Sequence, residues 1–195
     1  MKQYNTIGVD LAKHVIQVAV VSPNRRRLLN KSLTRTEFNE FLAKQNPALV
    51  AFEACTSAHC WARSARQQGH QVKILPAISV APFRQGHKTD ENDALAVAQA
   101  ANRPNIKVAP LKALEQQGLQ SNQRSRDLLV RDRTALSNHI RGLLMEFGLV
   151  IAKGFHALHQ ALPGILEEAE NGMPDIYRPK LTGSSSLAIT HQRQL

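Results

Sequence analysis

A chain of 195 residues, 43% hydrophobic and 21% charged, is long enough to bury one domain core with an appendage, and its formal charge of +10 points to a polyanionic partner. No run approaches the roughly 18 apolar residues of a membrane span, and Met1 to Asn5 lead directly into a strand, so neither a span nor a signal peptide is expected. The expectation is a cytoplasmic protein with no membrane partner; Cys55 and Cys60, five apart and without Cys-x-x-Cys spacing, read as reduced thiols.

Residues 6–11 and 15–21 are β-rich runs separated by the polar turn Ala12 to His14, which predicts a hairpin, and 26–33 predicts a third strand. A helix is expected over 36–44 with Thr36 as its N-cap and Phe38, Phe41 and Leu42 on one face. Leu49 to Glu53 reads as an apolar strand ending in a carboxylate, 57–68 as a helix closed by Gly69, and 71–75 as a strand ending at Pro76. Strands followed by strand–helix alternation imply an α/β layer fold with a mixed sheet and helices on its faces.

The Ala-rich segment 90–101 predicts a helix in which Asp90, Asp93, Ala94, Val97 and Ala101 share a face. A longer helical pattern runs over 111–147, with Leu129, Leu136, Ile140, Leu143 and Phe147 as its apolar stripe and Arg124 and Arg131 on the opposite side. That stripe suits a partner helix and so a homo-oligomer. Residues 149–170 suit a further helix, while 182–195, with Gly183-Ser-Ser-Ser186, read as an untethered, disordered tail. The domain expectation is a metal-binding catalytic core over 1–110, a helical extension opening a coiled-coil region over 111–181, and the tail.

Acids are scarce in the first 110 residues, which hold 15 Lys plus Arg against 7 Asp plus Glu. Four of the seven are Asp10, Glu53, Asp90 and Asp93: two interrupt or end buried-strand patterns and two lie three apart at a helix start. Like charges gathered in this way need a cation between them, and an all-oxygen donor set suits magnesium better than zinc. Two such ions about 4 Å apart promote phosphodiester cleavage or strand transfer. His59, His70 and His87 lack ligand spacing and read as surface or loop residues, Trp61 as core. Arg84, Lys88 and Lys107 flank the acid pair, and with Arg124 and Arg131 they are candidate phosphate contacts.

Asp10 within Ile-Gly-Val-Asp-Leu-Ala is by itself compatible with nuclease folds of ribonuclease-H type and with actin-type phosphotransferases. The latter predict a second Asp-x-Gly motif and a Gly-Gly pair, and the chain contains neither. Ile-Gly-Val-Asp-Leu-Ala-Lys at 7–13, Phe-Glu-Ala-Cys-Thr-Ser-Ala-His-Cys-Trp-Ala-Arg at 52–63 and Gly-His-Lys-Thr-Asp-Glu-Asn-Asp-Ala at 86–94 together resemble the DEDD-type insertion-sequence transposases. That family includes bridge-RNA-guided recombinases and a pilin-gene invertase.

The resemblance implies a RuvC-like, ribonuclease-H-like domain in which Asp10, Glu53, Asp90 and Asp93 bind Mg2+, with Mn2+ as the alternative, and in which Asp10 bridges the metals. It also implies magnesium-dependent DNA cleavage and transfer, DNA as a partner, a structured guide RNA and assembly of several subunits. Family members carry a second domain with a serine nucleophile, and this chain is expected to stop before it. Ser184 to Ser186 lack the glycine-rich context of that serine and read as linker. The rival expectation is a catalytically incomplete remnant that only binds nucleic acid or oligomerises.

Overall fold

The computed structural model describes residues 4–87 and 89–193. Five strands, β1 (Thr6–Leu11), β2 (Val15–Val21), β3 (Arg27–Thr34), β4 (Leu49–Glu53) and β5 (Gln71–Leu75), form one sheet in the order β3-β2-β1-β4-β5. The first three pair antiparallel; β4 lies parallel to both β1 and β5. A short turn suffices between β1 and β2, closed by the Ala12 N–H donating to the Val15 carbonyl at 3.1 Å, whereas a parallel neighbour needs a crossover. This mixed sheet with helices on its faces is the α/β layer architecture expected from the sequence.

Each face of the sheet is covered. Ile7, Val9, Ile16 and Val18 point to one side, where α1 (Arg35–Lys44) and α2 (Ala58–Gln67) supply Phe38, Leu42, Ala62 and Ala65. Trp61 packs half-buried on this cluster, edge-on to Phe38 with ring centroids 5.1 Å apart. After β5 come a short helix, α3 (Ala77–Val80), and a single 3-10 turn, Ala81–Phe83. The Ala-rich helix α4 (Asp90–Ala101) covers the other face, where Val97, Ala100 and Ala101 join Ala51, Leu75 and Val80.

Two local expectations are corrected. The cap of α1 is Thr34, not Thr36: the Glu37 N–H donates to Thr34 Oγ1 while the Glu37 carboxylate accepts from the Thr34 N–H at 2.7 Å. These bonds hold the exposed Glu37 carboxyl below its usual range, the backbone bond first. His70 is buried, its ring lying between the Ala48 N–H at 3.2 Å and the Leu42 carbonyl at 3.1 Å, so it ties α1 and the entry to β4 together. His59 is half-buried and accepts the Lys112 N–H on Nδ1 at 3.3 Å; desolvation, then Lys112 and Arg63, lower its pKa.

The chain divides into two compact units at Ala113 and Leu114. In the second, α5 (Leu114–Met145), α6 (Phe155–Glu167) and α7 (Arg178–Arg193) gather Ile140, Leu144, Leu158, Leu162, Met173 and Leu181 into a core. Arg178 donates to the Leu166 carbonyl at 2.7 Å and the Glu168 carbonyl at 2.9 Å, satisfying the open end of α6. The 182–195 stretch expected as a tail is instead helical as far as Arg193, because Leu181 buries and anchors α7. No helix among the described residues is long and apolar enough to cross a membrane.

Candidate active site

The parallel pairing of β1 with β4 runs as far as Val9 opposite Phe52, which makes Asp10 and Glu53 the next pair in the same register. Side chains alternate along a strand, and Ile7, Val9, Val50 and Phe52 belong to the cluster beneath α1 and α2. Gly8, Asp10, Ala51 and Glu53 therefore face α4. The two acids sit at the carboxyl ends of adjacent parallel strands, the edge at which α/β sheets bind ligands.

Helix α4 supplies the other two. Thr89 caps it, accepting the Asn92 N–H at 3.3 Å, and the first turn carries Asp90, Glu91 and Asp93, where the helix dipole favours negative charge. Asp93 is buried and Asp90 exposed. The helix approaches β1 as closely as it does because position 8 is glycine. A Cβ there would lie 2.2 Å from the Ala94 carbonyl oxygen and 2.4 Å from the Ala98 amide nitrogen, distances no side chain tolerates.

The four carboxylates feel one another. The half-buried Asp10 has its pKa raised, first by desolvation, then by the charges of Asp93, Asp90 and Glu53, with Arg84 acting in the opposite sense. Arg84 follows the 3-10 turn and enters this cluster. Its Nη2 donates to Glu53 Oε2 at 3.0 Å, and its Nε lies 2.7 Å from Asp93 Oδ1. The second contact is an ion pair by distance but is out of line for an N–H···O bond, so Arg84 Nε and Asp93 Oδ1 are both buried without a hydrogen-bond partner.

That orphaned oxygen, in a set of donors made only of carboxylates, suits a hard divalent cation. As they stand, no three His, Cys, Asp or Glu side chains among the described residues are arranged to hold one. The guanidinium lies between Glu53 and Asp93 instead. The donor types, four carboxylates with one buried oxygen unsatisfied, are those a hard divalent cation takes.

Three residues not singled out in the sequence position this site. Gln17, buried opposite Asp10 on β2, donates to Asn30 Oδ1 at 2.7 Å, and Asn30 Nδ2 donates to the Glu91 carbonyl at 3.0 Å, which ties β2 and β3 to the first turn of α4. At the other end Lys73 Nζ donates to the Ala101 carbonyl at 2.8 Å. The signal for Gln17 was present, since it is the one polar residue in Val-Ile-Gln-Val-Ala-Val-Val. Asn30 and Lys73 carry no such mark.

Of the candidate phosphate contacts, the structure brings Arg84 to the acids. Lys88 lies outside the described residues. Lys107 is exposed, ahead of Ala109, whose N–H donates to the Ile74 carbonyl on β5. Arg124 and Arg131 are exposed on α5 in the second unit.

The model of a family described as transposase, the DEDD type of IS110, matches residues 7–148. The chain is 45% identical over 156 residues to a probable family 20 transposase of Pseudomonas aeruginosa, covering 80% of this chain and 46% of that one. It is 36% identical over 176 residues to a putative transposase of Sinorhizobium fredii, covering 90% and 45%, and 35% identical over 173 residues to the transposase for insertion sequence element IS1111A of Coxiella burnetii, covering 89% and 48%. The chain thus spans about half the length of the curated relatives it matches. A solved structure, T. thermophilus RuvC in complex with a Holliday junction substrate, is similar at a TM-score of 0.45 and 14% identity, over 54% of this chain and 99% of that one. With the family model matching well over half of its residues, the chain belongs to the DEDD transposase family of IS110 type.

Proposed function

We propose that this chain forms the catalytic N-terminal part of a transposase that cleaves and transfers DNA strands with Mg2+ or Mn2+, held by Asp10, Glu53, Asp90 and Asp93. The observation that carries the reading is the placement of four acids at one sheet edge with a single guanidinium among them. Such a cluster is costly to fold and is explained by what it binds. When bound, divalent ions supply Lewis-acid stabilisation of the charge that develops at a phosphodiester.

The chain's own contribution is placement. The β1–β4 register fixes Asp10 beside Glu53, and α4, set close by Gly8 and held by Asn30 at its start, delivers Asp93 and Asp90. Desolvation at the strand ends strengthens every charge interaction there. The surplus of basic residues supports nucleic acid as the partner: DNA as the substrate, and a structured RNA as the guide that the family resemblance implies. Arg84, Lys88, Lys107, Arg124 and Arg131 are the proposed phosphate contacts. Leu114 and Leu128, exposed two heptads apart on one side of α5, support assembly of several copies.

The test joins a binding and a cleavage measurement. Purified chain titrated with Mn2+ by calorimetry should bind, and Asp93→Asn should weaken binding by about tenfold or more. Incubated with Mg2+ and a branched DNA, the wild type should nick it; cleavage that survives both Asp90→Ala and Asp93→Ala would overturn the site. DNA binding with no cleavage and no Mn2+ uptake would leave the chain a binding module.

A further inference from the structure

We infer that Arg84 is a displaceable counter-ion: it stands in the cation position of the acid cluster until a divalent ion is taken up, and the released guanidinium then holds a DNA phosphate. This rests on the metal-binding reading above and adds a coupling between metal loading and substrate capture.

The contacts themselves show an ion held by charge rather than by geometry. A guanidinium locked to a carboxylate makes two parallel N–H···O bonds. Arg84 instead spreads over two acids, one aligned bond to Glu53 and one misaligned approach to Asp93, leaving Nε and Oδ1 without hydrogen-bond partners. That arrangement leaves Asp93 Oδ1 unsatisfied, and among the described residues Arg84 is the cation acting on the acid cluster. A divalent cation offers twice the charge at the same place and satisfies the buried Oδ1, so the exchange is favourable for the acids.

Arg84 has somewhere to go. Its side chain is 31% exposed, so a path to solvent is open. Its backbone is extended at φ −69°, ψ 124°, and residues 84–87 belong to no helix or strand, with Gly86 at φ +76°. The side chain can therefore leave the acids without unwinding α4. A guanidinium cannot lose its proton, so once displaced it remains a cation beside the metal site, and its planar fork matches phosphate oxygens. The same residue thus shields the acids from mutual repulsion when the chain is idle and becomes a phosphate contact when the metal arrives.

Coupling of this kind is reciprocal and measurable. The 195-residue chain and its Arg84→Met variant are titrated with MnCl2 by calorimetry without DNA. Arg84→Met should bind Mn2+ tighter by roughly fivefold or more, because the competing cation is gone. Arg84→Lys, whose ammonium keeps the charge but lacks the guanidinium's planar fork, should fall between the two. Should Arg84→Met fail to melt cooperatively, Arg84→Lys alone decides: tighter binding than wild type supports the exchange, and equal or weaker binding overturns it.

Unchanged or weaker Mn2+ affinity in Arg84→Met, with Asp93→Asn still weakening uptake, would overturn the exchange and leave the metal site standing. No Mn2+ uptake by wild type or by Arg84→Met would remove both. The second arm reads DNA affinity by fluorescence anisotropy in Ca2+ and in EDTA. Arg84→Met should cost affinity in Ca2+ and little in EDTA; an equal cost in both conditions overturns the release of Arg84 toward phosphate.

Discussion

Asp10 is half-buried beside three other acids, and desolvation together with the charges of Asp93, Asp90 and Glu53 disfavours its ionised form. On the proposed reading that charge serves a bound cation and not the fold. Asp10→Asn keeps the shape and removes the repulsion. In EDTA the variant should therefore be more stable than wild type by about 1 kcal/mol, which for a chain of 195 residues is about 2–4 °C in Tm. Added Mn2+ should raise the Tm of the wild type and leave that of the variant unchanged. Differential scanning fluorimetry checks both, and a lower Tm for Asp10→Asn in EDTA would show that the carboxylate serves the fold. Asp10 and Glu53 were legible because each breaks an apolar pattern, at the ends of Ile-Gly-Val and Leu-Val-Ala-Phe, and Asp90 and Asp93 because they lie three apart at a helix start. Arg84 showed in the sequence only as a basic neighbour, since its pairing with Glu53 spans 31 residues of chain. His70 was misread for the same reason: in Gln-Gly-His-Gln it looks exposed, and its partners, Leu42 and Ala48, come from another element.

At the scale of elements, the placement of α4 decides the site. Its Ala-rich face is legible as a packing surface, but how near it comes to β1 depends on Gly8, which in the sequence permits close approach of either a ligand or another backbone and in the fold admits the backbone of α4. Gly8→Ala pushes a methyl group into the Ala94 carbonyl and the Ala98 amide, both of them backbone, so the helix must move as a body. The expected cost is roughly 1–3 kcal/mol, with Mn2+ affinity falling further than stability alone accounts for because Asp93 moves with the helix. Chemical denaturation and calorimetry on one preparation separate the two; full Mn2+ affinity in Gly8→Ala would show that the helix position is not limiting. The α1 cap was available in the sequence as Thr34-Arg35-Thr36-Glu37, a capping box that the nearer Thr36 obscured. Helix α7 was not. Its Gly-Ser-Ser-Ser run favours no helix, and it stands because Leu181 joins Ile140 and Leu144 while Thr182, Ser186 and Thr190 return their hydroxyls to carbonyls one turn back.

The whole molecule is built as a unit carrying the acids and a unit carrying the long helix, meeting in sequence at Ala113 and Leu114. Both sheet-facing cores lie within the first unit, and so do all four acids and Arg84, so residues 1–113 contain what the metal chemistry needs. Expressed alone, that fragment should unfold in one cooperative transition and bind Mn2+ as the full chain does. The second unit offers a different property. Its α5, 32 residues and about 48 Å long, exposes Leu114 and Leu128 two heptads apart on one side, with 67% and 46% of their surface showing. Apolar side chains held out on a helix of that length are expected to meet a second copy, so the sedimentation coefficient of the full chain should rise with concentration while that of 1–113 stays constant. Replacing Leu114 and Leu128 by Gln should return the chain to the behaviour of a monomer without altering Mn2+ uptake, since the acids belong to the other unit. If the substituted chain still self-associates, the contact lies off α5. If it loses Mn2+ binding as well, the two units share more of the site than their separate cores indicate.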